Sequence, residues 1–202
     1  GGSADVSIWK TTDGGATWKN LLKPSEHTGV SDIVLDPRDP DVLYATTYQR
    51  RRHFWSMING GPEGSIQKST DGGATWKKLT NGLPSGDLGR IGLAISPVNP
   101  DVIFAYVEAQ GDGSGIYRSS DRGATWEKKN SHNDTPMYYG KIYCDPIDVD
   151  RIYVTGTFMY YSDDAGKTLT RMAEKSVHVD CHAFWVDPKD PNYMLLGSDG
   201  GL

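Results

Sequence analysis

An all-β fold of short antiparallel strands in four-stranded repeats is predicted by three observations on this 202-residue sequence. One turn motif recurs four times, a second keeps step with it, and no segment sustains the i, i+3, i+4, i+7 apolar spacing of a helix. The first motif reads Thr11-Thr12-Asp13-Gly14-Gly15-Ala16-Thr17-Trp18, and it returns from Ser69 to Trp76 and from Ser119 to Trp126. A weaker copy runs from Ser162 to Leu169, with Leu169 in the Trp place. The aspartates of the four copies, Asp13, Asp71, Asp121 and Asp164, are 58, 50 and 43 residues apart. The second motif, Asp36-Pro37, Ser96-Pro97, Asp145-Pro146 and Asp187-Pro188, follows them by 23, 25, 24 and 23 residues.

Both motifs are flanked by β-branched or aromatic runs, such as Ile33-Val34-Leu35 before Pro37 and Val42-Leu43-Tyr44-Ala45 after it, so each reads as a turn between strands. One period then holds strands A, B, C and D. The proline motif turns A into B, and the Asp-Gly-Gly motif turns C into D. Four-stranded units of ~40 to 50 residues are the signature of β-propeller blades. The predicted inventory is one propeller segment over 1–202: a C-D half-blade at 7–21, blades at 30–79, 89–129 and 139–172, and an A-B half-blade at 182–197, sixteen strands in all. About four blades fit either a small closed ring or an arc of a larger one. Gly200-Gly201-Leu202 reads as the start of another C strand, which favours the arc and makes further blades of a parent propeller the nearest partners.

Composition removes several function classes. A formal charge of −5 argues against nucleic acid, whose recognition rests on an excess of Lys and Arg. The longest clean apolar run, Val102 to Val107, is far short of the ~20 residues of a membrane helix. The 24 glycines and 11 prolines signal many turns. Cys144 and Cys181 have no metal-type spacing and are expected as free thiols. No basic and apolar leader is visible at the start of the chain.

The first motif explains itself structurally. A short carboxylate accepts hydrogen bonds from turn amides, glycine tolerates positive φ, and the Trp covers apolar surface beside the turn. These residues resemble the Asp-box, or BNR repeat, and the chain resembles the propellers of sortilin-like proteins and of xyloglucan-cleaving glycoside hydrolases. The resemblance implies boxes at the blade periphery, away from the ligand face, and an extracytoplasmic or secreted protein. In the resembling xyloglucanases the substrate lies between two propellers, each contributing an aspartate.

In an antiparallel meander the B-C and D-A connections share one face. That face carries Ser31 and Asp32, Gly89 and Arg90, Tyr138 and Tyr139, and the run His178-Val179-Asp180-Cys181-His182 near the four A-strand starts. Alternation along an extended segment would point His178, Asp180 and His182 the same way, as a metal or proton-transfer site needs. Zinc wants three or four ligands and only this segment offers them, so no metal and no cofactor are expected. The long B-C loop of the first complete blade, Tyr48 to Gly64, adds Arg50, Arg51, Arg52 and Trp55, suited to anionic groups and to flat sugar or protein surfaces. The expected ligand-binding set is therefore Arg50, Arg51, Arg52, Trp55, Arg90, Tyr139, His178 and His182.

Two readings follow. The first is a sortilin-like binding or scaffold module for a protein or glycan ligand on this face. The alternative is part of a glycoside hydrolase acting on plant-type or bacterial polysaccharide, with Asp32 and Asp180 as the candidate catalytic carboxyls among Asp32, Asp87, Glu108 and Asp180. Sialidase chemistry, which by resemblance needs separated arginines, does not match the clustered Arg50 to Arg52.

Overall fold

Each turn motif reverses the chain onto its neighbour, and the computed structural model, which describes residues 7–172 and 177–202, is accordingly a row of antiparallel meanders. Strands β1 (Ile8–Lys10) and β2 (Lys19–Leu22) form a two-stranded sheet. The next sheet orders β3 (Thr28–Asp36), β4 (Asp39–Arg52), β6 (Ser65–Ser69) and β7 (Lys77–Leu79), and β5 (Met57–Asn59) pairs with the far end of β4. It is followed by β8 (Leu88–Ile95), β9 (Ile103–Ala109), β10 (Gly115–Ser119) and β11 (Glu127–Asn130). A one-turn helix α1 (Pro136–Tyr139) leads into β12 (Lys141–Cys144), β13 (Ile152–Thr155), β14 (Met159–Ser162) and β15 (Thr170–Arg171). Strands β16 (Cys181–Val186) and β17 (Met194–Ser198) complete the described chain. The two-stranded sheets β1-β2 and β16-β17 stay separate, so they do not close a four-bladed ring through a shared blade.

The core lies between successive sheets. Strand β9 shows why: its alternate residues point to opposite faces. Ile103, Ala105 and Val107 enter a cluster with Tyr44, Ile66, Ile91 and Leu93, whereas Phe104 and Tyr106 join Ile116, Ile142, Ile152 and Val154 on the other side. The run Val102 to Val107 is buried on both faces, which accounts for a continuous apolar segment in a short strand. A third cluster, Tyr153, Met159, Cys181 and Phe184, joins the β12–β15 sheet to β16-β17. Cys144 and Cys181 are free thiols.

All four boxes make the same bonds. In each, the Ser or Thr hydroxyl donates to the Asp Oδ1 at 2.8 Å and accepts the amide of the glycine four residues on, Gly15, Gly73, Gly123 or Gly166, at 2.8 or 2.9 Å. The box threonine, Thr17, Thr75, Thr125 or Thr168, donates its amide to the same Oδ1 and its hydroxyl to Oδ2. The fourth box keeps this geometry although Leu169 replaces Trp, and Leu169 packs half-buried on the second core cluster. The boxes also dock onto the preceding sheet. Trp76 Nε1 donates to the Leu21 carbonyl at 3.0 Å, and a side chain at Gly73, Gly123 or Gly166 would meet Leu21, Leu79 or Ile116. In the proline motifs, Asp36, Ser96, Asp145 and Asp187 cap their turns by accepting the amides of Arg38, Asn99, Ile147 and Lys189.

One element departs from expectation. The segment read as a loop from Tyr48 to Gly64 is a hairpin, because β4 runs on to Arg52 and pairs with β5 as Arg50 to Asn59, Arg51 to Ile58 and Arg52 to Met57. The sequence hides this strand because its outer end is polar on both faces.

Candidate functional site

The A strands β3, β8 and β12 stand side by side, and they line a cavity of about 470 Å³ whose walls include Asp32, Val34, Leu93, Lys141 and Tyr143. Asp32 was expected near the start of its strand. Because β3 begins at Thr28, the residue instead sits inside the strand, just past the bulge between Val30 and Asp32. Its Oδ2 accepts the Leu93 amide at 3.1 Å and its Oδ1 the Ile33 amide at 2.9 Å. Burial pushes the Asp32 carboxyl above its ordinary value, against those two amides and the cations Lys141 and Arg90.

Four elements, β4, β8, α1 and β16, bring polar and aromatic side chains into one connected ridge. Arg50, from β4, places its guanidinium 5.4 Å from the Tyr138 ring centre. Arg90, from β8, donates to the Tyr138 carbonyl at 2.7 Å, and its own amide donates to Glu108 Oε2 at 3.0 Å. Tyr139 meets His182 edge to face at 4.9 Å, and His182 Nε2 lies 2.8 Å from Asp199 Oδ1. The Tyr139 hydroxyl also bonds Asp180, which pushes its pKa up to about 12. Arg50, Arg90, Tyr139, His182 and Asp180 are thus brought together through a helix, α1, whose single turn the strand pattern did not announce.

The segment 178–182 is not the extended run expected. Asp180 has φ 65, a left-handed conformation that breaks the alternation, and β16 starts only at Cys181. The Asp180 amide is held by the Thr157 carbonyl at 2.9 Å and the Cys181 amide by Gly156 at 3.1 Å, so the turn is fixed by the neighbouring sheet. His178 turns its Nδ1 to the Val179 carbonyl while its Cβ sits over Gly200, apart from the contacts of His182. No group of three potential metal ligands occurs among the described residues. Asp199 was missed. It follows β17 in Ser198-Asp199-Gly200-Gly201, where the repeated glycines drew the reading toward a new strand.

The remaining predicted residues lie on the β4-β5 hairpin. Arg51 contacts His27, whereas Arg52 and Trp55 are exposed near its tip. The hairpin root is tied to the ridge face: Tyr48 donates to Asn59, whose Nδ2 donates to Glu108 Oε1 at 2.7 Å. Asp87 and Glu108 border a second hollow of about 270 Å³ beside that root.

With this geometry in place, comparison with known proteins gives a consistent picture. Residues 67–78, the second box, match the BNR/Asp-box repeat. The chain is 30% identical over 145 residues to a xyloglucanase of Hypocrea jecorina, covering 67% of this chain and 15% of that enzyme. It is 32% identical over 118 residues to a xyloglucanase of a Paenibacillus species, covering 54% of this chain and 10% of the enzyme. The chain resembles xyloglucan-cleaving glycoside hydrolases. A crystallised GH74 enzyme of Niastella koreensis superimposes with a TM-score of 0.68 at 21% identity, over 98% of this chain and 31% of that one, which fits a partial propeller. The curated relatives are thus hydrolases of which this chain spans only a small part, and they favour the hydrolase alternative over the sortilin-like receptor.

Proposed function

We propose that this chain is part of a secreted glycoside hydrolase acting on a xyloglucan-type polysaccharide, and that its ridge and central cavity form one wall of the glycan cleft. The observation that carries this reading is the ridge itself: two adjacent tyrosines, their rings 5.8 Å apart and tilted by 43°, beside carboxylates on the face where a meander gathers its B-C and D-A connections. Tyr138 and Tyr139 offer rings to a sugar face, and Arg90 and His182 offer hydrogen-bond donors.

Among the carboxylates, Asp199 is the group best suited to touch substrate. It is exposed, His182 lies 2.8 Å from its Oδ1, and its Oδ2 has no hydrogen-bond partner among the described residues. Asp180 orients the Tyr139 hydroxyl. Asp32, with an amide on each oxygen, joins β3 to β8 and lines the cavity. Glycoside hydrolysis needs a second carboxyl roughly 5 to 10 Å across the bond, and the opposing wall supplies it in this reading.

Reducing-end release from xyloglucan by the intact protein that carries this chain is the test. Asp199→Asn should lower kcat by at least about a hundredfold, as for loss of a reacting acid or base. Asp180→Asn should act on KM more than on kcat, and Asp32→Asn should lower thermal stability first. An intact protein that releases no reducing ends from xyloglucan, or an Asp199→Asn variant of unchanged kcat, overturns the assignment.

A further inference from the structure

The β4-β5 hairpin carries a feature that neither the fold nor the cleft uses. Between Tyr48 and Pro62 the sequence holds three arginines and one histidine and no Asp or Glu, in a chain whose formal charge is −5. Arg50 is spent on Tyr138 and Arg51 on His27. Arg52 is exposed, and its guanidinium has no hydrogen-bond or ion-pair partner among the described residues. The carboxylates nearest in sequence or at the root are already engaged, Glu63 by Ser25 and Thr28, and Glu108 by Asn59 and the Arg90 amide.

Beyond Arg52 the chain turns tightly, with the His53 amide on the Ser56 carbonyl at 2.7 Å. The turn displays Phe54 at 100% and Trp55 at 79% exposure, followed by exposed Met57 and Ile58. His53 and Trp55 lie nearly parallel, 9° between planes and 5.5 Å between centres, and Phe54 meets Trp55 edge-on at 6.2 Å. Large apolar groups held in water have a recognition role more often than a folding one. Here they stand exposed on the same turn as Arg52, three residues along the chain from Trp55.

We propose that this hairpin is an accessory binding site for an acidic, uronate-bearing polysaccharide. A uronate ring presents both complements at once: a C–H face for the Trp55 indole and a carboxylate for the Arg52 fork. A neutral glucan would leave Arg52 unanswered. A lipid surface would strip water from Arg52, His53 and Ser56, which surround the two aromatics on the same turn.

Affinity electrophoresis of the chain through gels containing polygalacturonate, fully methyl-esterified pectin or neutral β-glucan tests this, with sedimentation on anionic phospholipid vesicles run alongside. Polygalacturonate should retard the chain, esterified pectin and glucan should not, and added salt should weaken the retardation. Trp55→Ala and Arg52→Ala should each weaken binding about tenfold or more, as for loss of an anchoring contact. Arg52→Lys should recover part of it. Equal retardation by neutral and acidic polymers, variants that bind like the parent, or sedimentation with vesicles in place of retardation would each overturn the proposal. Both residues are exposed, and unchanged thermal unfolding of the variants checks that folding is intact.

Discussion

At the level of single residues, charge held by hydrogen bonds in turns does much of the organising. Asp36 has no exposed side-chain surface, yet its pKa is held down at about 2, first by the Arg38 guanidinium and also by Arg122 at 3.0 Å from the next sheet. Asp13, Asp71 and Asp164 are likewise held at about 2, by box hydroxyl and amide donors. A folded-state pKa below the ordinary 3.8 means that the stabilisation is complete above that value and is lost as pH falls through about 2. Thermal unfolding followed by circular dichroism should therefore hold level down to about pH 4 and drop steeply between about 4 and 2. Asp36→Asn should lower the plateau and shallow the drop. Arg122→Ala should cost about 1 to 2 kcal/mol in urea unfolding, since a hydrogen bond to a charged group is discounted here by the partial exposure of the arginine.

Elements are held by the boxes, which act as clamps between neighbouring sheets. Gly166 has φ +85 and packs so that a Cβ would come within 2.9 Å of Ile116 Cγ2. Gly166→Ala thus combines backbone strain with a clash and should cost about 2 to 4 kcal/mol in chemical denaturation. The hairpin tip has the opposite character. Replacing residues 53–56 by Asn-Gly should change stability by no more than about 0.5 kcal/mol, because Phe54 and Trp55 have no core contacts to lose. A large loss of stability would mean that the tip packs on the blade after all.

Across the whole molecule, stability is set by contacts between neighbouring sheets. Phe104 is fully buried in the cluster shared by the β8–β11 and β12–β15 sheets. Phe104→Ala should cost about 3 to 5 kcal/mol, and native-state hydrogen exchange should show amides of β13 loosening together with those of β9. The β1-β2 sheet, which has no share in that cluster, should keep its exchange rates.

The sequence by itself determined the repeat. Two turn chemistries in fixed phase dictate where strands reverse, because Asp, Gly and Pro act on their own backbone within a few residues. The box bonds, the all-β class and the sheet-to-sheet core follow from that local logic. Only the tertiary structure decided the site. The contacts of Arg50 on β4 with Tyr138 on α1 and of Tyr139 on α1 with His182 on β16 join separate elements, His182 meets Asp199 across the β16-β17 pair, and no local pattern records such distances. The left-handed Asp180 was likewise invisible, since its conformation is imposed by Gly156 and Thr157 of the adjoining sheet rather than by its own neighbours. Turn chemistry is short-ranged and legible along the chain, whereas a binding face is assembled from chain segments that meet only after folding.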